Sequence, residues 1–393
     1  MSLIGRQVTV LGAGVAGLAV ARALALRGAA VTVLEQADAV RDVGAGLQVS
    51  PNGAAVLRAL GLGAALEAAS LRARAVVLRD GLDGAQVLRM DLARLRPDQG
   101  WHFVHRADLI ALLLEGARAA GVELRLLQKV EEVDLTGEMP VAVTAQGMRH
   151  AAGLMIGADG LHSPARMALT GKVAPFFTHQ VAWRAVIAGD PADPAEVEVH
   201  MGPGKHLVSY PLLGGAWRNI VAVEERRRWV EEGWSLRDDP MELRLAFEGF
   251  GPRVRGWLEQ VEDVWLWGLF RHPVAKVWHR CMPLGSLAIL GDAAHPTLPF
   301  LAQGANMALE DAWTLAAALA GSDGDPAALA AWQAARQPRC ARIVAAAEAN
   351  ARNYHLSGVK RALGHALLRL GGKVAPGAGL ARFDWLYGLD VTR

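Results

Sequence analysis

Residues 7–17 have the sequence QVTVLGAGVAG, and this stretch decides the fold. Gln7–Leu11 is a short apolar strand, and the turn that follows has the spacing GxGxxG at the start of an apolar helical stretch. Gly12 permits the tight turn, Gly14 lets the backbone approach a pyrophosphate, and Gly17 lets the helix pack close to the strand. The free N–H groups at the helix N-terminus complete a site for the phosphates of a dinucleotide.

A second apolar strand, Val31–Leu34, ends at Glu35, which lies 18 residues beyond Gly17. A carboxylate at this point accepts a hydrogen bond from a ribose 2′-hydroxyl and disfavours a 2′-phosphate. The site therefore suits FAD or NAD rather than NADP. The candidate cofactor-binding residues of this unit are Gly12, Gly14, Ala16, Gly17 and Glu35.

Two later apolar strands also end in a turn of glycine and aspartate. The first runs into Gly157–Gly160, which contains Asp159, and the second runs into Gly291-Asp292. Taken singly, each of these turns is equally compatible with an ordinary loop. A carboxylate at the carboxyl end of a strand is nevertheless where α/β sheets bind their ligands, which favours a binding role.

Between these motifs the chain changes character. From Phe176 to Trp278 it has alternating, strand-like segments with a helical interval, a pattern typical of a mixed sheet. The nucleotide-type pattern returns after residue 283. We therefore predict an α/β protein in which a Rossmann-like domain is interrupted by a mixed β-sheet domain and followed by a helical tail. The predicted ranges are 1–75, 100–172 and 283–350 for the first domain, 76–99 and 173–282 for the second, and 351–393 for the tail.

The composition excludes several classes of protein. Hydrophobic residues make up 52% and charged residues 20%, with a formal net charge of +2, so we expect a globular chain without a nucleic-acid partner. Cys281 and Cys340 form no metal-ligand motif, which predicts no metal site and a reducing, cytoplasmic location. Residues 359–369 are basic and partly amphipathic, but docking on the chain's own domain is commoner for such a helix than membrane binding. Monomer and homodimer both stay open.

The three turn motifs, in this order, resemble those of the single-component flavin-dependent aromatic hydroxylases, which include 4-hydroxybenzoate, salicylate and 3-hydroxybenzoate hydroxylases. The resemblance covers nearly the whole chain and extends to His105–Leu109, Trp183-Arg184, Tyr210-Pro211 and Phe383–Gly388. It implies a 4-hydroxybenzoate hydroxylase-like fold, with FAD bound by the interrupted domain and substrate bound by the inserted sheet. The three motifs together are far more specific for the family than for the substrate.

The resemblance also implies how the cofactor is held. FAD would be bound non-covalently, and NADH or NADPH would act as a transient co-substrate without a nucleotide domain of its own. Arg106 corresponds to the arginine that approaches the FAD phosphates, Asp159 to a segment that serves both nucleotides, and Asp292 to the aspartate that holds ribityl or ribose hydroxyls. The other implied cofactor-binding residues are Pro299, Gly304, Ala305 and Asn306. The last three begin a helix whose N-terminus would stabilise the anionic reduced flavin.

His206 and Tyr210 are the candidate catalytic residues of the inserted sheet. They lie four residues apart in a strand-like run, so the period of two places them on one face. Hydroxylation of a phenol needs a base, which a histidine supplies near neutral pH. The pair resembles one in the 3-hydroxybenzoate and salicylate branch, and Gln303 resembles a glutamine placed near the reacting ring in the 3-hydroxybenzoate 6-hydroxylase branch. A structural role for His206 as a strand residue stays open.

The sequence thus predicts an NAD(P)H-dependent flavoprotein monooxygenase. It would use O2, through a flavin C4a-hydroperoxide, to hydroxylate a small phenolic aromatic such as a hydroxybenzoate-like acid. Three alternatives stay open: a hydroxylase of a larger secondary metabolite or quinone precursor, a flavin oxidase or reductase that transfers no oxygen, and a flavin-binding module without activity. Hydroxylated product formed in proportion to NAD(P)H oxidation would distinguish a hydroxylase from a flavin oxidase or reductase and from an inactive flavin-binding module.

Overall fold

The structure is a computed structural model that describes residues 3–40, 45–226, 230, 232, 236–322 and 324–393. Its strands, in chain order, are β1 (Gln7–Leu11), β2 (Ala30–Leu34), β3 (Gly46–Val49), β4 (Ser70–Arg72), β5 (Ala75–Asp80), β6 (Gln86–Asp91), β7 (His102–His105), β8 (Glu123–Arg125), β9 (Val130–Asp134), β10 (Val141–Thr144), β11 (Arg149–Ala151), β12 (Leu154–Gly157), β13 (Phe176–Ala188), β14 (Glu196–Gly202), β15 (Lys205–Leu212), β16 (Trp217–Glu225), β17 (Arg237–Asp238), β18 (Val264–Arg271), β19 (His279–Met282) and β20 (Gly285–Ile289).

The helices connect these strands and form the C-terminal part of the chain. In chain order they are α1 (Val15–Ala25), α2 (Pro51–Ala59), α3 (Gly63–Ala69), α4 (Leu92–Leu95), α5 (Arg106–Ala119), α6 (Pro164–Thr170), α7 (Pro240–Ala246), α8 (Pro252–Glu259), α9 (Gly304–Ala320), α10 (Asp325–Tyr354), α11 (Gly358–Val374), α12 (Ala378–Ala381) and α13 (Asp384–Tyr387). Short 3₁₀ turns lie at Leu213–Gly215, Gly291–Ala293 and Pro299–Leu301.

A six-stranded sheet forms the first layer, with the strand order β19-β20-β12-β1-β2-β8. The neighbours β20, β12, β1, β2 and β8 pair in parallel, and β19 is antiparallel at the edge. Parallel strands covered on both faces read as continuous apolar runs, and Leu154, Met155 and Ile156 of β12 are accordingly fully buried. Helix α1 packs against both α5 and α9, so the glycine-rich turn before it is held between sheet and helices.

An eight-stranded mixed sheet forms the second layer, with the order β17-β18-β13-β16-β15-β14-β5-β6. Successive side chains of a strand point to opposite faces. On β13, Trp183 belongs to an apolar cluster with Phe247 and Trp257 of the α7–α8 region, whereas Arg184 lines a cavity on the other face. One face of this sheet is therefore covered by its own helices, and the other faces the first domain.

The predicted domain ranges can be compared with these pairings. Strands β5 and β6 pair at the edge of the eight-stranded sheet, and the predicted range 76–99 begins one residue after the start of β5. Strand β19, which the predicted boundary at residue 282 assigns to the second domain, instead pairs with β20 in the first sheet. The predicted boundary at residue 350 falls inside helix α10.

The C-terminal segment is helical and docks on the second sheet. Helix α11 contains the basic stretch 359–369, and its Arg361 forms an ion pair with Asp80 at the end of β5. His365 of the same helix lies 3.2 Å from the Asp80 carboxylate through its Nδ1 atom. Among the described residues, no helix has both the length and the apolar character that crossing a membrane requires.

Candidate active site

The three turn motifs meet at one edge of the first sheet, because they follow the adjacent parallel strands β1, β12 and β20. A Cβ atom at Gly12 would lie 2.6 Å from the carbonyl oxygen of Ala158, which belongs to the second motif. A Cβ atom at Gly291 would lie 2.9 Å from the Cβ atom of Ala16. The turns therefore touch one another, although Gly12 and Ala158 are 146 positions apart along the chain and Ala16 and Gly291 are 275 positions apart.

The glycines of the first turn are required for different reasons. Gly12 has a φ of +94°, a conformation that side-chain-bearing residues rarely adopt. A Cβ atom at Gly17 would lie 1.9 Å from the Gly12 carbonyl oxygen, so only glycine lets α1 approach the strand. A Cβ atom at Gly14 would meet no described atom within 4 Å, which leaves open space in front of the helix N-terminus. This is the cradle that a pyrophosphate needs.

The Glu35 carboxylate is held beside this turn. Its Oε2 atom accepts a hydrogen bond from the Ala13 N–H at 2.7 Å, and its Oε1 atom accepts one from the Ala37 N–H at 2.9 Å. These bonds orient the carboxylate at the carboxyl end of β2, where an adjoining ribose would lie. The same bonds connect Glu35 to the backbone of the glycine-rich turn, so the side chain also braces that turn.

A cavity of about 370 Å³ connects the first turn with the second sheet. It brings together ten of the residues predicted from sequence: Gly14, Ala16, Arg106, His206, Tyr210, Asp292, Pro299, Gln303, Gly304 and Ala305. The other five, Gly12, Gly17, Glu35, Asp159 and Asn306, do not line it. Candidate cofactor-binding and catalytic residues thus share one space.

Asp159 and Asn306 have structural partners instead. The Asp159 carboxylate accepts hydrogen bonds from the Ser163 hydroxyl and from the Ala165 N–H, so it caps the start of α6. Burial raises the pKa of this carboxyl to about 6, against the opposing effect of these hydrogen bonds. The Asn306 amide accepts from the Ser50 N–H and donates to the Gln48 carbonyl, which fastens α9 to β3.

Charged side chains of both signs face the cavity. Asp292 lies in the 3₁₀ turn after β20, and Arg106 is the first residue of α5. Burial raises the pKa of Asp292, while the positive charges of His295 and Arg106 oppose the shift. A carboxylate that shares a cavity with a guanidinium in this way is suited to accept hydrogen bonds from hydroxyl groups of a ligand.

Helix α9 begins at the cavity wall. Its first turn contains no acidic residue, and the N–H groups of its first residues have no partner within the helix. Ala302, just before it, has a φ of +52°, an uncommon left-handed conformation for alanine. The backbone thus turns sharply to aim a positive helix end at the cavity, an arrangement that stabilises a bound anion.

His206 and Tyr210 lie on the same face of β15, and both line the cavity. Tyr210 stacks on Phe103 with ring centroids 5.1 Å apart, and burial raises the pKa of its hydroxyl. His206 is 1% exposed, and its Nδ1 atom lies 2.7 Å from the Nε2 atom of His355. Burial, with a smaller effect of His355, holds the pKa of His206 well below its usual range, which favours the neutral form of its imidazole.

Gln303 lines the cavity, but both atoms of its amide already have protein partners. Its Nε2 atom donates to the Ser50 hydroxyl at 2.9 Å, and its Oε1 atom accepts from Asn52 at 3.1 Å. Asn52 in turn donates to Glu310 at 2.6 Å. The role predicted for Gln303, orientation of a reacting ring, stays a prediction, and the structure adds a second role in fastening α2 to α9.

Comparison with known proteins agrees with this arrangement. The family model described as FAD binding domain matches residues 6–241 and 258–347. The 3-amino-4-hydroxybenzoate 2-monooxygenase of Streptomyces platensis is 35% identical over 98% of this chain and 96% of its own length. The 3-hydroxybenzoate 6-hydroxylase of Klebsiella oxytoca is 35% identical over 96% of each chain. The chain belongs to the FAD-dependent aromatic hydroxylases.

Solved structures confirm the fold of this enzyme. A salicylate hydroxylase in complex with substrate superposes with a TM-score of 0.81 at 22% identity, over 98% of this chain and 96% of the other. HpxO of Klebsiella pneumoniae, crystallised with FAD and uric acid, has a TM-score of 0.81 at 23% identity over 95% of each chain. At these identities the likeness concerns the fold alone, and it confirms the predicted α/β architecture with its helical C-terminal region.

The residues present fit FAD, which is the cofactor of this enzyme. The open space at Gly14 suits the pyrophosphate, and the Glu35 carboxylate suits the ribose beside it. The N-terminus of α9 also lines the cavity, and a positive helix end suits the negative charge of a reduced flavin. Neither Cys281 nor Cys340 belongs to the described lining of the cavity, so neither is placed to form a covalent bond to the flavin.

Replacing Glu35 should weaken FAD binding without changing the fold. We expect Glu35→Ala to cost about 1.5–3 kcal/mol, as for a hydrogen bond to a charged group, or roughly tenfold to a hundredfold in Kd. Glu35→Gln should lose less, because its amide oxygen still accepts from the Ala13 N–H. Flavin fluorescence titration of the apoprotein measures both, with Glu123→Ala on the neighbouring strand β8 as control. Unchanged affinity in Glu35→Ala would contradict the assigned ribose contact.

Sequence reasoning missed two residues that line the cavity and one residue that is hydrogen-bonded to its wall. Arg184 follows Trp183 on β13, and Tyr354 closes α10; both line the cavity. His355, the next residue, bonds to His206 from 149 positions away. The sequence marks the Trp183-Arg184 pair only as part of the family resemblance, and no local pattern distinguishes Tyr354 or His355 from other residues at a helix end.

Proposed function

We propose that the enzyme hydroxylates a small phenolic acid, with NADH or NADPH as reductant, and that His206 is the base that takes the substrate's hydroxyl proton. The observation that carries this proposal is the cavity itself. It joins the glycine-rich turn and the N-terminus of α9 to a buried, neutral histidine of the second sheet. A base in this position can act on a ring held against the cofactor.

The chemistry divides between cofactor and protein. FAD, when bound, accepts electrons from NAD(P)H and activates O2 for transfer to the ring. His206 takes the hydroxyl proton, directly or through a bound water, and so makes the ring electron-rich for attack. Tyr210 lies on the same face of β15 as His206, four residues further along the strand, and its hydroxyl can hydrogen-bond to the substrate. Gln303 can contact the ring from the α9 side.

The cavity walls favour a small ring over a large substrate. Six valines of the second sheet line it: Val76, Val197, Val199, Val208, Val221 and Val223. A space of about 370 Å³ that also admits the flavin ring leaves little room for more than one further ring. Apolar walls of this kind bury the faces of an aromatic compound and leave its orientation to a few polar groups.

One arginine supports an acidic substrate. Arg184 lines the cavity and is held by its place over the Trp267 ring, with Cζ 4.9 Å from the centroid, whereas Arg106 is the candidate residue for the FAD phosphates. A guanidinium binds a carboxylate through paired hydrogen bonds in a fixed geometry. In this proposal the partners of the enzyme are the aromatic acid and O2, in the cytoplasm, with neither nucleic acid nor membrane involved.

A turnover screen tests the proposed function. Aromatic acids, starting with 3-hydroxybenzoate and 3-amino-4-hydroxybenzoate, are added to the FAD-loaded enzyme with NADH or NADPH, and products are identified by mass spectrometry. We expect at least one phenolic acid to stimulate NAD(P)H oxidation and to gain one oxygen atom. Stimulated oxidation that yields only H2O2 with every phenolic acid would show a flavin oxidase rather than a hydroxylase.

Replacing Arg184 should reduce the enzyme's preference for an anionic substrate over an uncharged one. We expect Arg184→Gln to raise KM for 3-hydroxybenzoate about tenfold to a hundredfold, the equivalent of roughly 1.5–3 kcal/mol for a charge-assisted hydrogen bond. The uncharged 3-hydroxybenzamide should be affected far less. Initial-rate measurements with both compounds give the ratio, and Arg271→Gln, on the exposed end of β18, is the control. Equal effects on acid and amide would contradict a carboxylate contact.

A further inference from the structure

His206 is the inner end of a chain of three side chains that reaches the surface. Its Nδ1 atom lies 2.7 Å from Nε2 of His355, and Nδ1 of His355 lies 2.7 Å from a carboxylate oxygen of Glu225. His206 and His355 are buried, whereas the side chain of Glu225 is 53% exposed. The three residues therefore form an unbroken hydrogen-bonded path from the cavity to solvent.

The backbone holds these residues in register. Glu225 ends β16, and its N–H donates to the carbonyl of Gly204, in the turn between β14 and β15. The Gly204 N–H donates in turn to the carbonyl of His355, which caps the C-terminus of α10. The path thus crosses from the second sheet to α10 and back, at a point where three elements are joined by backbone bonds.

The direction of each hydrogen bond follows from the charges. A carboxylate only accepts, so Nδ1 of His355 donates to Glu225. The Nε2 atom of neutral His355 must then accept, so Nδ1 of His206 donates to it. Nε2 of His206 is left with its lone pair, and it makes no hydrogen bond to the described residues. The chain therefore sets the tautomer in which His206 can accept a proton within the cavity.

We propose that His206, His355 and Glu225 form a proton relay that carries the substrate's hydroxyl proton to solvent. This inference rests on the proposed function of the site. The hydroxyl O–H bond breaks and its proton binds Nε2 of His206, while the Nδ1 proton of His206 passes to Nε2 of His355. The Nδ1 proton of His355 passes to Glu225, which releases it to water. One proton enters and one leaves, and reprotonation of the product phenolate runs the same steps backwards, which restores both tautomers.

A relay suits this site because burial disfavours a protonated His206. Burial holds the pKa of His206 well below its usual range, and burial also lowers the pKa of His355 against the opposing effect of Glu225. Both rings therefore favour their neutral forms and pass a proton onward. The neighbouring cations Lys205 and Arg226 are engaged by Glu224, on the opposite face of β16, and do not interrupt the path.

The tautomers can be measured without any aromatic ligand. Holoenzyme labelled with ¹⁵N in its histidine rings is examined by NMR, and the signals of His206 are assigned by their loss in His206→Gln. We expect His206 and His355 both to carry the proton on Nδ1. A His206 ring protonated on Nε2 would overturn the relay, because the ring could then not accept the substrate's proton in the cavity.

Kinetics test proton transfer itself. With 3-hydroxybenzoate as probe, we expect His355→Ala to lower the rate of product formation at least tenfold and to leave FAD content and anaerobic flavin reduction unchanged. Added imidazole should restore the rate in proportion to its concentration, which a merely structural loss would not allow. Glu225→Gln, which keeps the hydrogen bond but carries no charge, should slow the reaction several-fold. Glu131→Gln, on strand β9 of the first domain, removes an acid of similar exposure far from the path; it is the matched control and should leave the rate unchanged.

The possible results separate this inference from the proposed function. If His355→Ala keeps the parental rate and ignores imidazole, the relay is wrong while the hydroxylase function stands. If His355→Ala does not fold, His355→Gln replaces it, and a parental rate in that variant has the same meaning. If the parent enzyme does not turn over 3-hydroxybenzoate, the proposed substrate is contradicted, and the tautomer measurement alone decides whether the relay is supported or overturned.

Discussion

Replacing His206 by alanine should remove most ring hydroxylation while FAD binding and flavin reduction persist. Loss of a positioned base typically costs about 10²–10⁴-fold in the step that it serves. That step is attack on the ring, and reduction by NAD(P)H is a separate half-reaction. The variant should therefore consume NAD(P)H in the presence of substrate, release H2O2 and form little product. The measurement is hydroxylated product per NAD(P)H consumed, beside anaerobic reduction rates.

The control for His206→Ala is a histidine outside the cavity. His279 lies on β19 and bonds to Gln333, so His279→Ala should keep the parental coupling. A His206→Ala enzyme that stays fully coupled at near-parental turnover would show that His206 is only a strand residue. Gln303→Ala should show a milder loss of coupling, accompanied by lower thermal stability, because its amide is also bonded to Ser50 and Asn52.

The pH dependence of coupling should follow the lowered pKa of His206. Only the neutral ring can take the hydroxyl proton, and a lowered pKa keeps the ring neutral as the pH falls. In the parent enzyme, the acidic limb of kcat/KM for product formation should therefore lie below the ordinary histidine value of 6.5. If the acidic limb of the kcat/KM profile had a pKa at or above 6.5 and vanished in His206→Ala, the prediction of a buried, neutral base would be wrong.

The features that sequence predicted are those fixed by local pattern. Strand β1 has the predicted bounds, because an apolar run followed by GxGxxG admits few other conformations. His206 and Tyr210 share a face because a strand has a period of two, whatever its neighbours. Helix α1 begins at Val15, inside the GxGxxG motif, so the turn itself supplies the first residues of the helix.

The features that sequence could not predict depend on contacts between distant residues. His355 meets His206 across 149 positions, and Gln303 meets Asn52 across 251. No spacing rule connects such residues, because the sheet order and the path of α10 decide which of them touch. The place of strand β19 depends on such contacts too, because its antiparallel pairing with β20 is what joins it to the first sheet.

A buried network of charges holds the wall of the cavity in place. Asp311 of α9 accepts from the imidazole of His295, from the N–H of Gly291 at 3.1 Å and from Nε of Arg336 at 2.8 Å. Arg336 also pairs with Glu310, which binds Asn52 and so connects the network to Gln303. The turn that carries Asp292 and the helix that faces the flavin site are thereby fastened to α10.

The charges of this network depend on one another. The positive charges of His295 and Arg336 outweigh burial and lower the pKa of Asp311, while Asp311 and Cys340 raise the pKa of His295 in spite of its burial. Ligand atoms of His295, Asp311 and Cys340 lie within 4.8 Å of one another. Arg336 donates to Asp311 at 2.8 Å and lies 3.6 Å from Sγ of Cys340, so an ion-pair network accounts for this trio.

Neutralising Asp311 should destabilise the enzyme more than any other change proposed above. Removing one partner of a buried ion pair costs about 3–5 kcal/mol, because the remaining charges stay buried without compensation. Asp311→Asn keeps the shape of the side chain but leaves His295 and Arg336 facing an uncharged amide. We expect a lower urea midpoint and earlier release of FAD, since the turn that carries Asp292 loses its anchor. Circular dichroism and flavin fluorescence during urea titration measure the two events.

The control for Asp311→Asn is the same chemical change at an exposed ion pair. Asp134 pairs with Arg149 at the surface, and Asp134→Asn should leave the urea midpoint unchanged.

The pH dependence of the stability difference supplies a second check. The pKa of Asp311 lies below 3.8 in the folded state, so its stabilisation is present above that value and lost only as the pH falls through the folded pKa. The gap between parent and Asp311→Asn should therefore persist through the neutral range and close only in strong acid. Equal midpoints at neutral pH would show that the network contributes no net stability and that the turn at Asp292 is held by packing alone.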